Sequence, residues 1–195
     1  RAVLAEGVAR TERDKVLAEK ERANEEDAIA RAVNDFLQID LFGEAAPAKN
    51  ARTTKVTVEE VLGRAAARID GKFERQPRTE AAIRQTIGDT YLALGGFPAA
   101  QPHLERALEL RRRVLGPDHP DTLATMRSLA RLYRALGRNS LAEQFLVDAL
   151  ATSRRVLGPE APTTLSFMDD LAMLHARKSQ YAEAEPLLVQ TLELR

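Results

Sequence analysis

Between Asp121 and Leu136 the apolar residues Met126, Leu129, Tyr133 and Leu136 recur three and four apart, while Arg127, Arg131 and Arg134 fall on another wedge. That spacing is the signature of an amphipathic helix. Read the same way, the chain from residue 77 onward resolves into three helix pairs. Arg78–Leu94 turns at Gly95-Gly96 into Pro98–Leu115, Asp121–Leu136 turns at Gly137 into Ser140–Leu157, and Thr163–Arg177 turns at Lys178-Ser179 into Ala182–Arg195. The first two pairs end in Gly followed by Pro, at Gly116-Pro117 and Gly158-Pro159. Gly just past a helix end accepts the left-handed cap, and Pro cannot continue the helix.

The pairs are copies. RRVLGPDHPDTLATM (112–126) returns 42 residues later as RRVLGPEAPTTLSFM (154–168), and twelve of the twenty positions in 111–130 are identical to 153–172. A fixed period of this length marks stacked structural repeats rather than a single closed domain. The expected organisation is a lead-in (1–27), a degenerate N-terminal capping repeat (28–76) carrying a loop at 43–54, and three repeats at 77–117, 118–159 and 160–195.

The pattern weakens toward the N-terminus. Residues 1–27 are rich in Glu, Lys, Arg and Ala, with helix propensity but little to bury. Small or apolar residues recur every seven (Ala2, Ala9, Val16, Ala23, Ala30, Leu37), but the partner row is Glu12, Glu19 and Glu26. This leaves a solvated single helix and a coiled coil both open. From Ala28 the residues Ile29, Val33, Phe36 and Leu37, closed by Leu41 and Phe42, form an apolar face expected to dock on the array. Thr57-Val-Glu-Glu60 reads as a capping box. It starts a helix carrying Val61, Leu62, Ala65, Ala66, Ile69 and Phe73 and ending near Gln76-Pro77.

Composition narrows the function. Lys+Arg and Asp+Glu balance at 29 each, and only three Tyr, six Phe and no Trp are present. Nucleic-acid binding therefore lacks both its basic footprint and its stacking groups. Cysteine is absent, which removes disulfides, thiolate metal sites and thiol catalysis. No apolar run is long enough for direct membrane insertion. The chain opens on Arg and stops inside a helical pattern, as a segment of a longer protein would.

The repeats resemble the tetratricopeptide repeat in its 42-residue, kinesin-light-chain-like form. The residues that carry this are the junction LGP(D/E)xPxTL at 115–123 and 157–165, and small residues at Gly88, Ala130 and Ala172. Tyr91, Tyr133 and, as a departure, His175 follow three residues on. Ala100, Ala142, Ala184, Ala107 and Ala149 add to the match, with Thr191 departing. The resemblance implies an all-α, right-handed α-solenoid of helix pairs, small-residue contacts between paired helices, and a concave groove lined by the first helix of each pair. A second resemblance, in AVNDFLQIDLF (32–42) and residues 56–95, is to the region beyond the membrane span of bacterial serine/threonine kinases with C-terminal repeats. No HRD, DFG or glycine-rich loop is present, so the chain itself is expected to be non-catalytic.

The chemistry agrees. His119 becomes Ala161 in the copy and reads as turn chemistry, His175 as a packed surrogate for Tyr, and His103 has no acidic partner at ligand spacing. Adjacent acids such as Glu59-Glu60 and Asp169-Asp170 point to different helical faces and make no dyad. No cofactor or metal site is expected. The informative feature is the stripe Arg127, Arg131, Arg134 and Arg138, spaced four, three and four. By the resemblance, Arg127, Arg131 and Arg134 align with ligand-contacting positions. Their equivalents in the flanking repeats are Gln85, Asp89 and Leu92, then Asp169, Met173 and Ala176. Guanidinium groups so spaced suit a carboxylate-rich or phosphorylated peptide. The bland alternative is a solvated face paired with Asp89, Asp169 or Asp170. Self-association, through the N-terminal helix or the apolar residues Leu187, Leu188 and Leu192 of the last helix, is the second functional expectation.

Overall fold

The computed structural model describes residues 2–41 and 57–195, with side chains from 10 to 40 and from 57 onward. Among the described residues the regular structure is helical throughout, without a strand. The chain divides into two compact units, 1–56 and 57–195. The division falls inside the 28–76 stretch expected to form one capping repeat; Phe42 and the expected loop 43–54 lie outside the described residues.

In the first unit α1 (Ala2–Asp35) runs without a break across the 27/28 boundary and widens into a π-helical turn at Phe36–Leu41. Every side chain from 10 to 28 is exposed. Phe36 and Asp40 are buried.

The second unit begins with α2 (Val58–Ala66), whose capping box is complete. Glu60 N–H donates to Thr57 Oγ1 and Thr57 N–H donates to Glu60 Oε2, both at 3.2 Å. The sequence pattern extends this helix to Gln76, but it ends ten residues earlier. After Ala66 the backbone tightens into three-residue bonds (Arg68 N–H to Ala65, Ile69 to Ala66, Lys72 to Ile69), and Gly71 takes a left-handed φ of 80°. Ile69 stays buried in the turn, so the apolar spacing continues after the helix has stopped.

Three helix pairs follow: α3 (Pro77–Leu94) with α4 (Phe97–Val114), α5 (Pro120–Ala135) with α6 (Asn139–Val156), and α7 (Pro162–Arg177) with α8 (Tyr181–Glu193). Each helix packs on the next in order, and α3 also approaches α5 directly. This is an all-α solenoid. Within pairs, small residues let the backbones close up: Ala100, Ala107, Ala142 and Ala149 are fully buried, and Leu104 packs over Gly88. Tyr91, Tyr133 and His175 are all buried at the corresponding positions. Fully buried leucines such as Leu104, Leu123 and Leu129 each contribute about 1.5–3 kcal/mol of transfer free energy.

The repeated junction has a specific mechanism. Gly116 and Gly158 adopt φ of 90° and 92°, Pro120 and Pro162 occupy the first turn of the next helix, and the buried hydroxyls of Thr122 and Thr164 donate to the Gly116 and Gly158 carbonyls at 2.8 Å. The Thr of the PxTL motif thus satisfies a carbonyl that the helix end leaves orphaned. His119 acts in the turn, its Nδ1 accepting the Asp121 N–H at 3.1 Å as a helix N-cap.

Candidate peptide-binding face

The polar wedge of α5 is held between the first helices on either side. Toward α7, the Arg127 guanidinium pairs with the Asp170 carboxylate, whose side chain is only 13% exposed. Arg134 Nη1 donates to Met173 Sδ at 3.6 Å, and Met173 is itself exposed. Toward α3, Gln85 Nε2 donates to Ser128 Oγ at 2.9 Å. These contacts tie the three first helices together through Gln85, Arg127, Arg134 and Met173.

Arg131 differs from its neighbours. It is exposed, and among the described residues it forms no hydrogen bond or ion pair. With Arg134 and Asp170 it lines a small hollow floored by Ala130 and Leu146. Arg138 lies past the end of α5, exposed at the turn where it precedes α6.

The acidic flanks are committed elsewhere. The Asp169 carboxylate receives the Arg195 guanidinium. Asp89 Oδ2 accepts from Gln85 Nε2 at 2.8 Å, while its Oδ1 is buried with no partner among the described residues. Gln85 Oε1 in turn accepts from Arg111 Nη1 at 3.2 Å. Arg111 is buried and also donates to the Asp121 carbonyl at 2.9 Å and to Thr125 Oγ1 at 2.6 Å. Burial lowers its pKa from the ordinary guanidinium value, opposed by the charges of Asp121 and Asp89. It is a structural cation joining α4 to α3 and α5.

Asp170 was expected only as an acid neutralising the arginine face, the role it takes toward Arg127, and Ser128 and Arg111 were not expected at the site. The repeat aligns residues 42 apart, whereas side chains meet across first helices 43 apart, as in Gln85 with Ser128 and Arg127 with Asp170. Arg111 could have been found from its copy, since a small Ser153 at that position, bonded to Thr164 at 2.6 Å, marks an interior site.

The histidines are accounted for by packing. His175 Nδ1 lies 3.2 Å from Gln180 Oε1, and His103 stacks on Tyr91 with ring centres 6.0 Å apart. Burial, and then Arg84, lower the His103 pKa against the opposing charge of Asp70, so the neutral ring is favoured in the stack.

Stacked helical hairpins whose first helices share a polar face define a protein of the helical-repeat class. The tetratricopeptide repeat model matches residues 79–155 and 136–195, together more than half of the chain, and the chain belongs to the tetratricopeptide repeat family. Among solved structures it is similar to BtubC (BKLC) from P. vanneervenii, at 18% identity and a TM-score of 0.62, over 88% of this chain and 73% of that one. It is also similar to a kinesin-light-chain-type protein of nearly identical TPR-like repeats from Podosopora anserina, at 23% identity and a TM-score of 0.63, over 90% of this chain and 91% of that one. At these identities the likeness is one of fold. No curated protein sequence matches the chain. Tetratricopeptide repeats mediate protein–protein interaction and are typically non-catalytic. Among the described residues no helix is long and apolar enough to cross a membrane.

Proposed function

We propose that the array binds an acidic peptide or protein segment along its concave face, with Arg131 and Arg134 on α5 making the principal contacts. The observation that carries this is the Arg131 side chain, an exposed guanidinium with no partner among the described residues, beside Arg134 at the rim of a shared hollow. Arg127 has its own carboxylate and serves as the edge of the site. Met173 adds an exposed apolar surface at the far side. Placing like charges at three- and four-residue spacing on one helix opposes folding by a few tenths of a kcal/mol per pair, roughly, and an anionic ligand removes that repulsion. Binding of immobilised acidic peptides to the wild type and to Arg131→Glu/Arg134→Glu tests the reading. Retention of every ligand by the variant would remove the stripe from the function.

Self-association is a second reading, favoured by α8. Leu104 and Leu146 are at most 3% exposed, yet Leu188 at the same repeat position is 46% exposed; Leu108 and Leu150 are buried where Leu192 is 74% exposed. The proposal that 77–117, 118–159 and 160–195 are three equivalent units behind a capping repeat gives this face its meaning, because each earlier unit buries it against the next. A larger serine/threonine kinase as the setting for such an assembly rests on the sequence of residues 32–42 and 56–95.

A further inference from the structure

We propose that the hollow between the second helices α4 and α6 is a separate docking site for a partner segment that carries acidic residues around one apolar anchor. Phe145 supplies the accessible apolar surface of its floor, backed by the buried Leu108 and Leu129. Phe145 is half-buried and tilted on the Tyr133 ring, centres 5.5 Å apart, so the aromatic surface is held in place.

The charges at the rim are unequal in availability. Glu105 accepts the Tyr133 hydroxyl and Gln101 Nε2, both at 2.8 Å, and Glu109 accepts Arg106 Nη1 at 2.8 Å. Both acids at the rim are engaged within the fold, each through one carboxylate oxygen. Arg112 and Arg113, also at the rim, are exposed. Arg112 reaches only Met126 Sδ, at 4.0 Å, and Arg113 forms no hydrogen bond among the described residues, its charge acting on the nearby Glu109 without direct contact. The rim therefore presents two guanidinium groups that hydrogen-bond no carboxylate among the described residues, above an apolar floor.

The following repeat shows what a closed version looks like. Arg154 and Arg155 stand 42 residues beyond Arg112 and Arg113. Arg154 Nη2 bridges α6 to α8 through Gln190 Oε1 at 2.9 Å, and Arg155 Nη2 donates to Asp118 Oδ1 at 2.7 Å. Asp148 holds the position of Gln190 on α6, but among the described residues Arg112 makes no bond to it. Arg154 closes the α6–α8 interval and Arg155 turns back to the α4–α5 junction, whereas Arg112 and Arg113 hold no such hydrogen-bonded partner among the described residues. Two free guanidinium groups bind carboxylates with two-point geometry, and an apolar side chain between them gains contact by excluding water from the floor. Leu129 lies about 200° around α5 from Arg127, so the hollow is on the opposite side of that helix from the arginine stripe.

A fluorescein-labelled peptide Glu-Asp-Phe-Glu-Asp, its Phe→Ala form and its Lys-substituted form serve as probes in anisotropy titrations of the full chain. The parent peptide is expected to bind. Arg112→Glu/Arg113→Glu weakens it at least tenfold, Arg112→Gln/Arg113→Gln weakens it less, and Arg131→Glu/Arg134→Glu leaves the anchored component intact. The peptide's own Phe→Ala change is expected to cost most of the affinity. Circular dichroism of each variant verifies the fold, and the Gln pair, which introduces no repulsion at the helix end, decides the case if the Glu pair unfolds. Equal binding by the Arg112/Arg113 variants, indifference to the Phe anchor, or no binding up to about 1 mM (about −4 kcal/mol) overturns the proposal. Loss confined to Arg131→Glu/Arg134→Glu overturns it too, while leaving the stripe reading in place.

Discussion

Arg127 on α5 is held by Asp170 on α7, a residue 43 positions along in a chain that repeats every 42. The one-residue offset is a property of packing: side chains of neighbouring first helices interlock diagonally, and Gln85 meets Ser128 with the same offset. Asp170 therefore sits inside the cationic stripe and faces the hollow that Arg131 and Arg134 line. Asp170→Asn should remove a negative charge from that hollow and release Arg127. Affinity for an acidic peptide is expected to rise about two- to fivefold, and stability to fall by no more than about 1 kcal/mol because the Arg127 side is half-exposed. Titration calorimetry and urea unfolding measure both.

Among the described glycines, Gly88 makes the closest approach to another helix. A Cβ there would lie 2.5 Å from Leu104 Cγ, and Leu104 is fully buried. Gly88→Ala gains up to about 1 kcal/mol of helix propensity but incurs about 1–3 kcal/mol of overpacking, so a net loss of roughly 1 kcal/mol is expected. In the Leu104→Ala background the same change should become stabilising. Urea midpoints of the four proteins give the coupling.

Ser179 is the one described non-glycine residue with positive φ, at 60°, where the two earlier repeats carry Gly95 and Gly137. Ser179→Gly should raise thermal stability by up to about 1 kcal/mol, reduced by the greater freedom of glycine in the unfolded chain. An unchanged or lower midpoint in calorimetry would show that the turn is not strained.

The arrangement of helix pairs was legible because each local signal agreed with the repeat: LGPxxPxTL set the corners, and Ala100, Ala142 and Ala184 set the close approaches. All six helices from α3 onward end within two residues of the boundaries expected from the pattern. The end of α2 was not legible, since Ile69 and Phe73 keep helical spacing after three-residue turns and Gly71 have taken over. At the site, the spacing of Arg127, Arg131 and Arg134 was plain. That Asp169 turns to Arg195 while Asp170 takes Arg127 depends on the diagonal interlock, which no single helix encodes.

Tyr133 should report on alkaline unfolding. Burial, followed by its hydrogen bond to Glu105, pushes its pKa up to about 12 from an ordinary 10.0. A group whose folded pKa is raised contributes stability that is complete below its unfolded value and is lost as pH climbs through the folded one. Wild type should therefore lose stability between about pH 10 and 12 more steeply than Tyr133→Phe, which is expected to be about 1 kcal/mol less stable at pH 8. Parallel slopes for the two proteins would contradict this.

Thr122→Val tests the junction. It leaves the Gly116 carbonyl without the hydroxyl that satisfies it in a buried position, and about 1–3 kcal/mol of stability should go with it. The equivalent Thr164→Val should cost at least as much, because Thr164 also bonds Ser153. Chemical denaturation of the two variants gives the comparison.

The most direct test of the peptide-binding assignment is a residue-resolved NMR titration of the full chain with an acidic octapeptide at low and moderate salt. The account predicts salt-sensitive shift changes centred on Arg131 and Arg134, extending to Asp170 and Met173, and abolished in Arg131→Glu/Arg134→Glu. Shifts that leave α5 and α7 untouched, or that persist in the variant, would contradict it.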